Sequence, residues 1–259
     1  MVEQGEPQGD GGAATTALDA AGLDKSGKAI RDMFGAVARH YDLLNHLLSA
    51  SLDRVWRRRA AAALDLPPGA PVLDLCCGTG DQAVALGRRR GARVAAADFC
   101  LPMLALARRK FRRELRRLAA PPAPAPLAAD ALALPFPERC FTAATVSFGL
   151  RNVADLDTAL VQLAGVLRPG GQLAVLEFAV PVLPPLRALY LLYFRRLLPA
   201  IGRLISDSSS AYSYLPSSVL AFPQRRDFLD RMAAAGFADL AWRDLSGGIV
   251  CLYTGRIPG

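Results

Sequence analysis

A short apolar segment is followed by a turn whose residues could bind a nucleoside. Residues 72–75 are apolar apart from one acid, and Gly78 and Gly80 follow within a few residues. Glycine lacks a Cβ and adopts positive φ readily, which lets backbone N–H groups approach a ligand at the start of the next helix. Asp98 ends the next apolar run, about 20 residues on, where nucleoside-binding folds place the acid that accepts hydrogen bonds from ribose hydroxyls. The pattern predicts a cofactor turn between a strand and a helix.

The spacing of this turn argues against a dinucleotide cofactor. The dinucleotide fingerprint reads G-x-G-x-x-G, whereas Ala83 occupies the third glycine position here. A glycine turn on its own is also common for purely local reasons. Asp74, inside the strand ahead of the turn, resembles instead the signature of class I S-adenosylmethionine methyltransferases. This resemblance implies that the turn holds the amino acid end of the cofactor and that Asp98 holds its ribose.

Length and composition fit one α/β domain. With 259 residues the chain can bury one substantial core. We expect a disordered leader over residues 1–28 and a single domain over residues 29–259. No apolar run approaches the roughly 20 residues of a membrane-spanning helix, and the N-terminus lacks the basic start and apolar stretch of a signal peptide. These features predict a cytoplasmic protein.

The cysteines predict packing in a reducing compartment rather than metal binding. The chain has five of them, with no C-x-x-C pair and no histidine at metal-ligand spacing. We therefore expect no metal site.

Positive charge is concentrated in one part of the chain. The formal net charge is +8, and seven basic residues crowd one segment: Arg108, Arg109, Lys110, Arg112, Arg113, Arg116 and Arg117. Such a run is most often a solvated helix face, but it could also attract an anionic membrane surface. A nucleic acid is the competing partner of a basic protein. Because no aromatic residues that could stack on bases are interleaved with the run, we expect a membrane contact and no nucleic acid.

Helical and strand patterns alternate along most of the chain. Residues 29–66 have helical spacing and predict an N-terminal helical cap, and strands and helices then alternate, which implies a mostly parallel sheet. The proline-rich residues 119–127 predict a loop leading to a strand that bears Asp130. Residues 181–205 are amphipathic and predict either a helix packed on the sheet or a lid, within an insertion over 181–220. Residues 240–255 predict an antiparallel hairpin.

Several further segments resemble one family, the C-methyltransferases of ubiquinone and menaquinone biosynthesis. Residues 34–45 (FGAVARHYDLLN) and 53–57 (DRVWR) resemble its N-terminal signature, and residues 147–153 (SFGLRNV) resemble its more specific second signature. The likeness extends over nearly everything from Ile30 onward. It implies a Rossmann-like class I methyltransferase fold with a seven-stranded sheet and a C-terminal antiparallel hairpin. The sequence departs from the family at Ala50-Ser51, where a glycine is usual, and at Cys100, where a serine is usual.

The resemblance also implies an activity and a set of site residues. The implied reaction is methylation of a prenylated quinol ring by S-adenosylmethionine, most readily demethylmenaquinol. Arg151, Asn152 and Tyr41 are the expected catalytic residues, with Arg151 and Asn152 as donors to the quinol oxygen, because a guanidinium is a poor base. The expected cofactor-binding residues are Asp74, Gly78, Thr79, Gly80, Asp98, Asp130, Ala131 and Ser147.

Several alternatives stay open at this point. Arg151 and Asn152 could simply cap the helix that begins near Asp155, and Tyr41 could be a core aromatic residue. The ring could be the benzoquinol of ubiquinone synthesis, another small apolar acceptor could replace the quinol, or the chain could be a non-catalytic cofactor-binding subunit of a quinone-synthesis complex. The sequence does not fix the oligomeric state, and a homodimer is one expectation.

Overall fold

The computed structural model describes residues 23–89, 91–117, 124–193, 196 and 209–259. Within them, seven strands form one sheet: β1 (Pro71–Leu75), β2 (Arg93–Asp98), β3 (Ala125–Ala128), β4 (Phe141–Ser147), β5 (Leu167–Phe178), β6 (Ala238–Leu245) and β7 (Val250–Arg256). The strand order is β3-β2-β1-β4-β5-β7-β6. Strands β1 to β5 pair in parallel, whereas β7 pairs antiparallel with both β5 and β6. The predicted sheet with its C-terminal hairpin is confirmed.

The helices follow the predicted alternation. They are α1 (Gly27–Leu48), α2 (Leu52–Ala63), α3 (Asp81–Gly87), α4 (Leu101–Arg117), α5 (Leu156–Val166), α6 (Pro184–Leu192), α7 (Ser209–Ala221) and α8 (Arg226–Ala234). Two 3-10 turns cover Leu150–Asn152 and Ser246–Gly248. Large apolar clusters cover both faces of the sheet, as expected of parallel strands that are buried on both sides. No helix in the described part of the chain is long and apolar enough to cross a membrane.

The N-terminal cap is two helices rather than one continuous segment. The chain turns between α1 and α2, where Ala50 has φ 49° and Ser51 has φ 62°. Both residues are in the left-handed region that favours glycine, which gives a structural reason for the usual glycine at this place. The cap also begins at Gly27, inside the residues assigned to the leader, and residues 1–22 lie outside the described part of the chain.

The prediction of a loop over residues 119–127 is wrong at its C-terminal end. Strand β3 includes Pro126 and Leu127, and Asp130 lies beyond its end, in an isolated bridge with Ala133. Strand β3 is the sheet edge and pairs with β2 alone, so a proline without an N–H is tolerated there. Of the predicted amphipathic segment 181–205, helix α6 is described, and residues 194–195 and 197–205 lie outside the described residues.

Candidate active site

A cavity lies at the carboxyl ends of β1, β2 and β4, beneath helix α1. The space between its atoms is about 890 Å³, including open solvent at its mouth. Helix α1 contributes Ile30, Phe34 and Tyr41 to one wall. Of the eleven predicted site residues, seven line this cavity: Tyr41, Gly78, Asp98, Asp130, Ala131, Ser147 and Asn152. The carboxyl edge of a parallel sheet is where such folds bind ligands.

Asp98 holds the cofactor turn from the neighbouring strand. Its Oδ2 accepts the Gly78 N–H and its Oδ1 accepts the Cys100 N–H, each at 2.8 Å. Burial raises the pKa of the Asp98 carboxyl, and the backbone N–H groups act in the opposite direction. Gly78 has φ 55°, and a Cβ there would meet Tyr41 across the cavity at 4.0 Å. Asp98 thus both shapes the turn and faces the space where a ribose would lie.

The cavity lining carries further polar groups. The Oγ of Ser147 is buried and has no hydrogen-bond partner among the described residues. Asp130 is exposed, and its Oδ1 accepts the Leu132 N–H at 2.9 Å. An orphaned hydroxyl, two carboxylates and an open glycine turn around one cavity fit a nucleoside cofactor with ribose hydroxyls and an amino group.

Four of the predicted residues do not line the cavity. Asp74 is 0% exposed inside β1, accepts a hydrogen bond from Thr145 Oγ1 at 2.8 Å, and has its pKa raised to about 7 by burial. The Thr79 hydroxyl is buried and donates to Asp42 Oδ1 at 2.5 Å. At Gly80, φ is 89° and a Cβ would overlap the Phe111 ring of α4. These three residues therefore shape the cofactor turn without lining the cavity.

Arg151 is the fourth, and its guanidinium contacts an acid and a backbone carbonyl. Its Nη1 lies 3.2 Å from Glu177 Oε2 and also donates to the Phe148 carbonyl. Its guanidinium stacks over the Phe178 ring at 5.5 Å. Glu177, at the end of β5, is 1% exposed, and burial raises its pKa while Arg151 acts to lower it. The sequence reasoning missed Glu177, although an acid at the end of a buried apolar strand was a signal for it.

Asn152 and Tyr41 both line the cavity. The Asn152 Nδ2 donates to the Phe148 carbonyl at 3.5 Å, and its buried Oδ1 has no partner among the described residues. This pairing assigns the amide orientation, because the nitrogen must face the carbonyl. Asn152, which lines the cavity, therefore holds an unpaired acceptor oxygen.

One group of described residues has the composition of a metal site, which the sequence did not suggest. His46, Asp53 and Asp81 have ligand atoms within 4.8 Å of one another. Two cations already lie against these carboxylates, since Lys110 Nζ is 2.5 Å from Asp81 Oδ1 and Arg57 Nε is 3.8 Å from Asp53 Oδ2. A metal ion would have to displace them, so the arrangement is better described as an ion-pair network.

The whole described fold and this cavity agree with one protein family. Residues 23–256 match the ubiE/COQ5 methyltransferase family. The chain belongs to this family. Membership confirms the predicted methyltransferase class and its cofactor, S-adenosylmethionine.

Curated relatives match nearly the whole chain. A demethylmenaquinone methyltransferase of Parafrankia sp. (strain EAN1pec) is 43% identical, covering 93% of this chain and 99% of its own length. Proteins of the same name from Streptomyces avermitilis and Mycobacterium tuberculosis are each 42% identical. The alignment covers 91% of this chain and 97% of the former, and 93% of this chain and 98% of the latter.

Solved structures confirm the fold at low sequence identity. The [4+2]-cyclase SpnF matches with a TM-score of 0.66 at 19% identity, over 90% of this chain and 96% of its own. An S-adenosylmethionine-dependent methyltransferase of Thermotoga maritima matches with a TM-score of 0.61 at 18% identity, over 88% and 99%. One of these two is a cyclase, so this fold alone does not fix the reaction.

Proposed function

We propose that this protein methylates a ring carbon of a prenylated quinol, and that demethylmenaquinol is the substrate. Family membership and the relatives named demethylmenaquinone methyltransferase support this substrate class. Gly78, Asp98, Asp130 and Ser147 line the cavity and would hold the cofactor there. Bound S-adenosylmethionine supplies an electrophilic methyl group on a sulfonium. Ile30, Phe34 and Val153 add an apolar part to the cavity wall, which suits a hydrophobic ring.

The free Oδ1 of Asn152 carries the proposal that the substrate is the reduced quinol. A quinol hydroxyl is a hydrogen-bond donor, whereas a quinone oxygen only accepts. A buried acceptor without a partner costs free energy until a donor reaches it. Asn152 therefore favours the reduced ring, which is also the electron-rich form whose carbon can act as a nucleophile. Orienting that ring is itself a large share of the rate enhancement available to the site.

Arg151 would act on the same substrate through its charge rather than through a direct contact. Its guanidinium is one residue from Asn152 and is anchored by Glu177 and the Phe148 carbonyl. A fixed buried cation stabilises negative charge that develops on a quinol oxygen. Tyr41, on α1, would close the other side of the ring.

The test is turnover with chemically reduced and oxidised substrates, followed by mass spectrometry of the methylated ring. We expect product from reduced demethylmenaquinol and none from the oxidised quinone. Asn152→Ala should lower kcat/KM by about 10-fold or more, because a buried hydrogen bond is lost. The control is Arg168→Ala, an exposed residue at the amino end of β5, away from the cavity.

Three outcomes would contradict the proposal in different ways. Equal methylation of the oxidised quinone would remove the role given to Asn152. Methylation of the benzoquinol alone would show that the substrate belongs to ubiquinone synthesis instead. Binding of S-adenosylhomocysteine without turnover of either quinol would favour another acceptor or a non-catalytic subunit.

We further propose that helix α6 contacts the cytoplasmic membrane surface, where a prenylated substrate resides. Val182, Leu183, Leu189 and Leu192 are each more than half exposed on this helix and the segment before it. Between residues 178 and 206 the sequence has four arginines and no acid. Exposed leucines together with arginines are typical of helices that lie in the interface of an anionic bilayer.

Vesicle flotation at physiological salt tests this contact. We expect binding to vesicles that contain anionic lipid, with loss of binding in Leu189→Asn/Leu192→Asn. Substitution of Arg108 and Arg109, which are exposed on α4, tests the basic run as the alternative docking face. If the wild-type protein does not bind anionic vesicles, neither helix α6 nor the basic run of α4 contacts the membrane.

A further inference from the structure

Helix α1 covers the cavity, and among its described side chains Ile30 and Ala38 are the buried apolar ones. Its Ala38 packs with Cys100 and Met103 in a cluster of only those three fully buried residues, next to the partly buried Phe34 and Tyr41. The sheet, by contrast, is covered by far larger clusters. Buried apolar contacts contribute to local stability, and polar contacts between α1 and its neighbours add to the groups that fix its position.

Lys110 makes such a contact with three elements at once. Its Nζ lies 2.8 Å from Asp42 Oδ2 on α1, 3.1 Å from Thr79 Oγ1 in the cofactor turn and 2.5 Å from Asp81 Oδ1 at the start of α3. An ammonium has three protons and no acceptor, and three oxygens surround this one. The Lys110 side chain is 15% exposed, so these contacts are shielded from solvent more than an ordinary surface ion pair.

Thr79 completes the connection between the turn and the helix. Its hydroxyl accepts from Lys110 and donates its proton to Asp42 Oδ1 at 2.5 Å. A hydroxyl has a single proton, so the Thr79 side chain is committed to this network. The turn that bears Gly78 and the helix that bears Tyr41 are therefore joined by one closed set of charged hydrogen bonds.

We propose that Lys110 is a positioning residue for the cofactor: by joining Asp42 of α1 to Thr79 and Asp81 of the cofactor turn, it holds α1 closed over the bound nucleoside. The residue lies in a run of seven basic residues, but its role differs from that of its neighbours. Arg108, Arg109, Arg112 and Arg113 are exposed on α4, whereas Lys110 points inward to the turn. This inference relies on the cofactor assignment of the proposed function and is independent of the quinol.

The experiment measures cofactor release and the opening of α1 separately. S-adenosylhomocysteine is the probe, with its affinity from calorimetry and its dissociation rate from stopped-flow displacement. Amide hydrogen exchange over α1, in protein without ligand, gives a second readout that needs no cofactor. The variants are Lys110→Met, which keeps the length of the side chain without its charge, and Asp42→Asn. Arg109→Met is the matched control on the exposed face of the same helix.

We expect Lys110→Met to speed dissociation of the probe by about 10-fold, because hydrogen bonds to a charged group are lost. Exchange should rise over α1 and remain unchanged in β4 and β5. Lys110→Arg should restore part of the affinity, since it keeps the charge with a different geometry. Arg109→Met should change the dissociation rate less than twofold.

The role of Lys110 and the cofactor assignment fail in different ways. If Lys110→Met and Asp42→Asn release the probe at the wild-type rate and exchange over α1 is unchanged, the positioning role is wrong. Asp42→Asn keeps Lys110 with Asp81 and Thr79, so it tests the role even if Lys110→Met does not fold. Wild-type protein that does not bind the probe would overturn the cofactor assignment, while the exchange data would still decide whether Lys110 holds α1.

Discussion

Gly149 lies directly against the side chain of Cys76. A Cβ added to Gly149 would overlap the Cys76 Cβ and lie 3.0 Å from its Sγ. The two residues follow the carboxyl ends of the neighbouring parallel strands β4 and β1, and both line the cavity. Cys76 itself has φ 54°. The backbone of Gly149, in the loop that leads to Asn152, thus packs against the side chain of Cys76, in the loop that leads to the cofactor turn. The contact has no room for another methyl group.

Gly149→Ala should weaken both the fold and the site. The added methyl must push the two loops apart, and overpacking of this kind costs about 1 to 3 kcal/mol. We expect a lower melting temperature and weaker binding of S-adenosylhomocysteine, measured by thermal unfolding and calorimetry.

Two further variants control for this explanation. Cys76→Gly removes the overlapping Cβ and relieves the positive φ, so Cys76→Gly/Gly149→Ala should recover most of the lost affinity. Gly165→Ala, in α5 with nothing within 4 Å of an added Cβ, should leave binding unchanged and stabilise the helix slightly. A double variant as weak as Gly149→Ala alone would show that the contact with Cys76 is not the cause.

Glu177→Gln should destabilise the protein and lower its activity. The substitution keeps the shape of the side chain but leaves the buried Arg151 without a counter-charge, and breaking a buried ion pair costs about 3 to 5 kcal/mol. Urea unfolding gives the change in stability, and kcat at saturating cofactor gives the effect on the site.

A second variant, Arg151→Met, removes the other member of the Arg151–Glu177 pair, and its stability should depend on pH differently from that of Glu177→Gln. Without Arg151, the pKa of Glu177 rises further, because burial already raises it and the lowering influence is gone. A carboxyl whose pKa is raised in the folded state destabilises the fold when it is ionised, at pH above that pKa. As pH falls the carboxyl takes up a proton, and the destabilisation is lost. Both variants keep Asp74, so Arg151→Met should regain more stability on acidification than Glu177→Gln does, and the difference belongs to Glu177. Parallel pH profiles for the two variants would contradict the ion pair.

The cofactor turn could be predicted from the sequence because its signals are local. Gly78 and Gly80 follow an apolar run, and Asp98 ends the next strand at the spacing that parallel β-α-β units impose. The structure places Asp98 and Gly78 in direct contact. The alternation of strand and helix patterns predicted the parallel sheet, apart from β3, where a loop was predicted.

The ionic partners could not be predicted, because they depend on long-range contacts. Arg151 and Glu177 are 26 positions apart, and Lys110 and Asp42 are farther still. In sequence, Lys110 looks like any member of a basic run, and its inward orientation comes from the packing of α4 on α1. Pro126 was assigned to a loop for a similar reason. Proline is excluded from central strands but tolerated in an edge strand, and the sequence does not show that β3 is at the edge of the sheet.

Asp74 should make the stability of the protein fall as pH rises from about 4 to about 7. Burial raises its pKa from 3.8 to about 7, so between these values the folded state holds a proton that the unfolded chain has lost. The stability contribution is therefore fully present below pH 4 and is lost as pH rises through 7. The shift corresponds to at most about 4 kcal/mol. Denaturant unfolding across this pH range measures it.

Asp74→Asn isolates this effect from other titrating groups. An asparagine can still accept the Thr145 hydrogen bond and cannot ionise. The variant should be more stable than wild type at pH 8, with a difference that shrinks towards pH 4. A difference that does not depend on pH would show that Asp74 is not the group that titrates.

Ala50→Gly should stabilise the protein, because the turn between α1 and α2 forces Ala50 to φ 49°. An L-residue with a Cβ in the left-handed region costs about 1 kcal/mol, and the residue is exposed, so no packing is lost. Part of the gain is offset by the greater freedom of glycine in the unfolded chain. We expect a gain of about 0.5 kcal/mol in the free energy of unfolding, measured in urea. Ala62→Gly, exposed in helix α2, is the matched control and should lose about 1 kcal/mol, so equal losses in both variants would contradict the left-handed turn.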